Sequence, residues 1–369
     1  VPDDGTVEVE MYRWINMEER GWYPGQTHIH TTDQGLPVPF FESWPLISAA
    51  EGLSVSHILT LKGDWTSHAI YADEYPMGPV PSSVAKGRVV AYGEEYRNNP
   101  YGHLCFLGLD ELIQPISSGA LGELGGPDYP PNLFVLEEAL AQDATTVGAH
   151  FGLSILGEDP IMTPWPSTGF EMPIDVALGK IHVAEIYGNG GQLSVWYRLL
   201  NCGFEIAGTA GPDWVLKDTP RTYVYLGNVS LTVDSWTGRL RQGQSFVTHG
   251  PMIFLTVDGE RPGTRLNYPE PTRKVQVKAD ALGPDGSLPL EIVVNGEVVA
   301  MGVNLDTTLT IEDSAWIAAR TEEAHSNPVY LTLQGRPRGY AEAAETFIGV
   351  ADRLSDWVSQ KAIFENDDQ

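Results

Sequence analysis

The sequence predicts an α/β protein followed by a second, mostly β region, and three observations carry that expectation. Between about Trp22 and Tyr225 short apolar runs alternate with helix-like segments, the pattern of βα units around a parallel sheet or barrel. From about Gly227 the texture changes to alternating strands separated by tight-turn signals. A face of apolar residues at 3-4 spacing then closes the chain. The expected divisions are an N-terminal β segment over residues 1–21, an α/β part over 22–226 and a β-rich part over 227–369 that ends in an amphipathic helix.

Taken in order, the apolar runs of the first part are QTHIH, SHILTL, RVVAYGEE, HLCFLGL, TTVGAH, KIHVAEIYG and FEIAGTAGPD. One helix between them is clear, Gly191 to Asn201, with Leu193, Trp196, Tyr197 and Leu200 at helical spacing and Gly203 as its stop. In the second part FLTVDGE, ALGPDGSL and EIVVNGEVV each place Asp-Gly or Asn-Gly between alternating residues, which favours hairpins. The closing helix runs from Tyr340 to about Phe364, with Phe347, Val350, Leu354, Trp357 and Lys361 on one face.

Composition narrows the function classes. The 369 residues include 42% apolar and 19% charged side chains, with ten Trp and fifteen Tyr, so the chain buries a core. Its 22 Lys and Arg against 49 Asp and Glu give a net charge of −27, which repels phosphate backbones and anionic lipid surfaces. A nucleic-acid partner is not expected, and no run of 18 or more apolar residues offers a membrane span. The start VPDDGTVEVE reads as a mature N-terminus and, with the acidic composition, suggests a periplasmic or extracellular protein, cytoplasm being the alternative. Cys105 and Cys202 sit in apolar stretches and read as buried thiols. Aromatic-rich β surfaces make a homodimer reasonable.

The chemistry concentrates at strand ends. His28 and His30 form an H-x-H whose two-residue period points both imidazoles to one side, where they can grip one metal ion; the plainer reading is a half-buried strand face. Glu94-Glu95 ends the third run, Gly102-His103 opens the fourth, His150 ends the fifth and Asp213 ends the seventh. In a βα barrel such ends meet at one rim, where active sites are built. His and carboxylate donors without Cys suit Zn, Mn or Fe.

GWYPGQTHIH, the Gly-x-Glu before a Gly-His pair in GEEYRNNPYGHLCFLGL, the GAH and the late GPDW together resemble the PHP metallohydrolase superfamily, named for polymerase and histidinol phosphatase. ERGWYPGQTHIH, RLRQGQSFVTHGP, SAWIAAR and AHSNPVY look like its CehA/McbA branch, which includes a hydrolase of the aryl carbamate carbaryl. The resemblance implies a distorted (β/α)7 barrel with metal ions at its strand ends, one ion on His28, His30, Glu95 and Asp213, a second on His103 and His150 with Glu95 as the bridge. It also selects Glu95 over Glu94, because the pattern is Gly, any residue, Glu.

The departures shape the functional expectation. A third metal in that superfamily uses a further His after the H-x-H, a T-D-H after the second strand and a His after the late Asp; here the corresponding stretches read TTDQG, LTLKGDW and Asp213-Trp214. Two divalent ions are therefore expected, Zn first, with Mn or Fe as alternatives. Lys62, beside the missing T-D-H, is a candidate catalytic cation in the third ion's place, the plainer reading being a solvated or supporting lysine. Asp64 and Trp65 follow at the mouth of the pocket, and Trp65, Tyr96, Arg97 and Trp214 are candidate substrate contacts. Glu185 is expected to hydrogen-bond behind the ligands. His182 reads as core, His249 and His325 as structural, His57 and His68 as ordinary. Two ions sharing a carboxylate activate water and polarise a scissile oxygen, and Asp213 is the candidate to take up the proton. The acidic field and the scarcity of Arg near the motifs favour a neutral carboxyl ester, carbamate or amide as substrate. A phosphoesterase and a non-catalytic, metal-stabilised binding module are the alternatives.

Overall fold

The structure is a computed structural model that describes residue 10 and residues 12–30, 43–60, 77–80, 87–98, 100–119, 127–151, 169–188, 193–213 and 220–366. All seven apolar runs contain strands: β1 (Trp22–Ile29), β2 (Val55–Thr60), β4 (Val89–Tyr96), β5 (Leu104–Leu107), β6 (Thr145–Gly148), β7 (Val183–Gly188) and β8 (Ala207–Gly211), with the short β3 (Gly78–Val80) added to β4. Between and beside them lie α1 (Ser43–Ala50), α2 (Asn132–Ala141), α3 (Met172–Ala177) and α4 (Leu193–Asn201). The described residues of segment 1–21 contain one 3-10 turn, Glu18–Arg20, and no strand.

The strand order β1–β2–β4–β5–β6–β7–β8 follows the chain, and nearly every position of these strands is buried. Burial on both faces is why the runs read as continuous apolar stretches rather than as alternation. The expected parallel order is broken once. β5 runs antiparallel to both β4 and β6, because only seven residues separate β4 from β5 and a parallel crossover needs a dozen or more. Among the described residues no ladder joins β8 back to β1. They meet at a bridge between Asp213 and Ile29, where Asp213 N–H donates to His28 O at 3.0 Å and His30 N–H to Asp213 O at 2.8 Å. The seven strands thus form an open run pinched together at one rim rather than a closed ladder.

The same sheet continues past residue 226. β1 pairs with β9 (Arg221–Tyr225), and β9 with β10 (Ser245–Thr248), on either side of α5 (Val233–Arg241). The indole of Trp236 on α5 lies against β1, and a Cβ at Gly25 would stand 2.6 Å from that ring, so only glycine fits there. The β-rich region follows as β11 (Met252–Val257), β12 (Arg265–Tyr268), β13 (Arg273–Gly283), β14 (Gly286–Ser287), β15 (Leu290–Val294), β16 (Glu297–Gly302), β17 (Leu305–Ile311), β18 (Ala315–Arg320), β19 (Ala324–Ser326) and β20 (Val329–Leu333). Through β19, β18, β20 and β12 it extends the large sheet, while β11, β13, β14 and β17 form a second.

Two of the three expected hairpins form. Asn295 and Gly296, at φ +51° and +95°, turn β15 into β16, and Pro284-Asp285 joins β13 to β14. The third, at Asp258-Gly259, does turn the chain, but β11 pairs with β13 and β12 with β20. The chain closes with α6 (Ala341–Gln360), whose Phe347, Val350, Leu354 and Trp357 join a cluster with Trp196 and Leu200 of α4, while Lys361 falls just beyond the helix. Cys105 is buried as expected and Cys202 half-buried.

Candidate metal centre

At the pinched rim six side chains from five strand ends come together: His28 of β1 and His30 just after it, Glu95 of β4, His103 before β5, His150 after β6 and Asp213 after β8, none more than 7% exposed. The reversal of β5 is what brings His103 there. As the only antiparallel strand among the seven described, it presents its N-terminal end where its neighbours present their C-terminal ends. His150 and Asp213 hold φ of +31° and +62°, conformations that cost strain for residues other than glycine and that recur where side chains are held for a task. A Cβ at Gly211 would lie 2.5 Å from Glu185 Oε1 and 2.6 Å from His28 Cβ, so this glycine clears the space the site occupies.

The donor atoms fall into two groups. In the first, His28 Nε2 and His30 Nε2 are 3.0 Å apart, Asp213 Oδ1 lies 3.4 and 3.5 Å from them, and Glu95 Oε2 lies 3.0 Å from His30 Nε2. Donors about 2.1 Å from a tetrahedral centre stand about 3.4 Å from one another, which is close to this spacing. The second group is Glu95, His103 and His150, with Glu95 Oε1 at 3.2 Å from His103 Nδ1 and 3.7 Å from His150 Nε2. Glu95 belongs to both.

The surroundings fix which lone pairs face inward. His28 Nδ1 lies 3.0 Å from Glu185 Oε1 and His30 Nδ1 3.0 Å from the Leu59 carbonyl, both acceptors, so each Nδ1 carries the proton. The Nε2 atoms are then acceptors that face each other and two carboxylates. Acceptors converging at this distance in a buried space need a cation or a proton between them, so the donor set suits a divalent ion. Glu185 also accepts the His150 backbone N–H at 2.6 Å through its other oxygen, so one carboxylate sets two donor residues.

Charge regulation follows the same layout. Desolvation pulls His28 toward the neutral form, but Cys105, Glu185, Asp213 and Glu95 outweigh it and leave its pKa well above the ordinary range. For Glu95 desolvation opposes ionisation, yet His28, Arg97 and hydrogen bonds from His103 and His150 hold its carboxyl well below the usual value. Burial, then the Arg97 guanidinium, lowers His103 to about 3, so it is neutral at physiological pH.

Of the other expected residues, Arg97 is at the donors, 3.7 Å from Glu95 Oε2. Tyr96 is not. Strand alternation turns it and Glu94 to the opposite face, where the Tyr96 hydroxyl bonds Ser118 and the Pro130 carbonyl, and Glu94 accepts the Ile113 N–H at 2.8 Å. Tyr96 is a core side chain rather than a pocket wall. Lys62, Asp64, Trp65, His68 and Trp214 lie outside the described residues. His182 bonds Thr146, His57 stands 3.0 Å from the Gln26 carbonyl, His325 meets the Tyr197 hydroxyl, and His249 is exposed beside Tyr187; none reaches the donors. The thiol of Cys105, read only as a buried group, stands against His28 and Glu185 on the side away from the centre. A cleft of about 900 Å³ lined by Trp14, Glu18, Arg221, Tyr223 and His249 holds none of the donors.

No model of a known protein family matches the sequence, and no curated protein matches it. Solved structures with a similar arrangement include PsfC from Pseudomonas syringae PB-5123, at 13% identity and a TM-score of 0.33 over 59% of this chain and 88% of that one. Endonuclease Q, in complex with a 27-mer duplex carrying an abasic lesion at the active site, matches at 12% identity and 0.36 over 60% of this chain and 56% of its own. The lesion-specific endonuclease of Pyrococcus furiosus matches at 13% and 0.34, with the same two shares. Scores at this level select neither a family nor a substrate.

Proposed function

We propose that the chain is a metal-dependent hydrolase of the PHP type, CehA/McbA branch, its seven strands reading as a distorted, open (β/α)7 barrel whose ends touch at the Asp213–Ile29 bridge. The observation that carries this reading is the pair of inward-facing Nε2 acceptors on His28 and His30, 3.0 Å apart among carboxylates, with each Nδ1 tied to an acceptor behind it. His28, His30, Asp213 and Glu95 would hold one divalent ion; Glu95, His103 and His150 would hold a second; Zn suits the His and carboxylate set first, Mn or Fe next. When bound, the ions polarise a scissile C=O or P=O and lower the pKa of water.

The chain's own residues do the rest. Glu185 and the Leu59 carbonyl keep the two imidazoles in the tautomer that points Nε2 inward. The Asp213 carboxylate, held in place by its residue's two backbone bonds to β1, would take up the proton released on hydrolysis. Arg97 faces the charge that develops on the substrate oxygen. With a net charge of −27 and Arg97 the one described guanidinium at the donors, a neutral carboxyl ester, carbamate or amide is the favoured substrate. A phosphoester is the second reading, and the observation that favours it is Arg97 itself, whose fork suits an anionic oxygen.

Elemental analysis of gently purified protein, with hydrolysis of a neutral aryl ester and an aryl phosphate followed on the same sample, tests the reading. Bound Zn, Mn or Fe with ester turnover that a chelator abolishes is expected. Phosphate turnover alone would move the assignment to a phosphoesterase. Bound metal without turnover on either substrate would leave a metal-stabilised binding module, and no retained metal would sink the centre.

A further inference from the structure

Glu95 and Arg97 stand two residues apart, so the alternation of β4 continued by one step turns both to the same face. There Arg97, only 5% exposed, donates from Nε to Nδ1 of His103 at 3.4 Å and lies 3.7 Å from Glu95 Oε2. A neutral imidazole has one ring lone pair to give. His103 Nδ1 stands between the Arg97 N–H at 3.4 Å and Glu95 Oε1 at 3.2 Å, so without an ion it either accepts from Arg97 or donates to Glu95, and an ion in this group has to displace whichever contact it makes. The first donor group is arranged differently: acceptors, Glu185 and the Leu59 carbonyl, occupy the outer nitrogens of its histidines and leave the inner lone pairs to an ion.

Building on the metal-centre reading above, we propose that Arg97 is a resident cation of the second donor group, so that the centre fills in order. One ion binds tightly at His28, His30, Asp213 and Glu95. A second binds weakly at Glu95, His103 and His150, and only when the guanidinium releases His103. Coulomb repulsion acts in the same direction, since a divalent ion a few ångströms from a guanidinium in a buried site is opposed far more strongly than in water. With one ion bound, the Arg97 guanidinium, 3.7 Å from Glu95 Oε2, would supply the second positive pole of the site.

The test is a titration of chelator-stripped full-length protein with Mn²⁺ and, separately, Zn²⁺, reading bound metal per chain by equilibrium dialysis, with far-UV circular dichroism on every variant. Wild type is expected to take up two equivalents separated by at least about tenfold in affinity. Arg97→Gln is expected to tighten the second equivalent by about tenfold or more and to leave the first unchanged. His103→Ala should lose the second equivalent in both backgrounds. Two equivalents of equal affinity in wild type overturn the proposal without any variant, as does an unchanged gap in folded Arg97→Gln. Failure of wild type to bind any metal removes the metal centre itself, and is thereby told apart from an error about Arg97.

Discussion

The strands around the donors and those of the β-rich region solve opposite packing problems with the same backbone. β13 alternates exposed positions with buried and half-buried ones, and β17 exposed with half-buried ones, so each turns one face to the core and a polar one to water. β1, β2, β4 and β8 are buried almost throughout, so whatever polar groups they carry must be satisfied inside. The result is a sharp partition. Every buried Asp, Glu and Arg among the described residues lies before residue 214, and the β-rich region buries no charge at all. Charges in the first region are costly and must therefore be arranged, whereas charges in the second lie in water and are free to vary.

Breaking the arranged set should produce the largest effect. His28→Ala removes a donor in contact with three carboxylates and leaves Glu95, Glu185 and Asp213 facing a void, so bound metal is expected to fall below half an equivalent and hydrolysis by more than about a hundredfold. Glu185→Gln touches no inward donor atom and should cost less, about 10- to 100-fold in metal affinity, with the fold intact by circular dichroism. Retention of full metal content in His28→Ala would mean that the ion is held without His28.

The converse experiment is a cavity in the β-rich core. Ile292 on β15 is fully buried among Leu290, Ile317 and Val329, and Ile292→Ala is expected to cost about 2–5 kcal/mol in urea unfolding while metal content per folded chain stays at the wild-type level. Loss of metal in the folded variant would show that the two regions are coupled through the shared sheet.

Much of this partition was legible in the sequence, for a physical reason. Strands buried on both faces give uninterrupted apolar runs, and all seven runs contain strands; the six donor residues stand at their ends because only rim positions combine burial with access. What was missed needed more than pattern. Nearness to Glu95 in sequence suggests a pocket role for Tyr96, but adjacent positions on a strand point to opposite faces. The direction of β5 could have been read from the seven-residue link between β4 and β5, too short for a crossover, which would also have explained why His103 precedes its strand. The pairing of β11 with β13 instead of β12 was not readable, because a turn dictates a local reversal and not which strands share a ladder. The burial of Glu171 and Asp175, at the start of α3 and within it, left no signal either, since isolated acids outside any periodic run look like surface residues.

Glu171 makes a smaller, pH-dependent test of the same contrast. Its carboxylate accepts the N–H groups of Asn132 and Leu133 at the start of α2, yet burial raises its pKa from 4.5 to about 7 despite those bonds. A carboxyl whose folded pKa is raised binds its proton more tightly in the native state, so its contribution to stability is present below about pH 4.5 and is lost as pH rises through about 7. Wild type is therefore expected to lose stability relative to Glu171→Gln across that window, read as a falling difference between their urea midpoints. Parallel midpoints from pH 4.5 to 7 would show that the buried carboxyl does not titrate there.

The smallest effect belongs to the charges that the β-rich region leaves in water. Lys278 on β13 and Asp306 on β17 face each other across the ladder with Nζ 3.1 Å from Oδ2, each a little over half exposed. Hydrogen bonds from Lys278 and then Gln276 lower the Asp306 pKa, so the pair is real in geometry. Solvent nevertheless screens it, and fixing two flexible side chains offsets most of what attraction remains. Lys278→Ala is expected to leave the thermal midpoint within error of wild type at physiological salt, and bound metal unchanged. Arg97 and Glu95 are a similar pair of charges at 3.7 Å, buried at a rim rather than exposed on a face, and replacing that arginine is expected to reorder how the centre fills. A midpoint drop in Lys278→Ala as large as that of Ile292→Ala would mean that exposure does not divide the consequential charges of this molecule from the inconsequential ones.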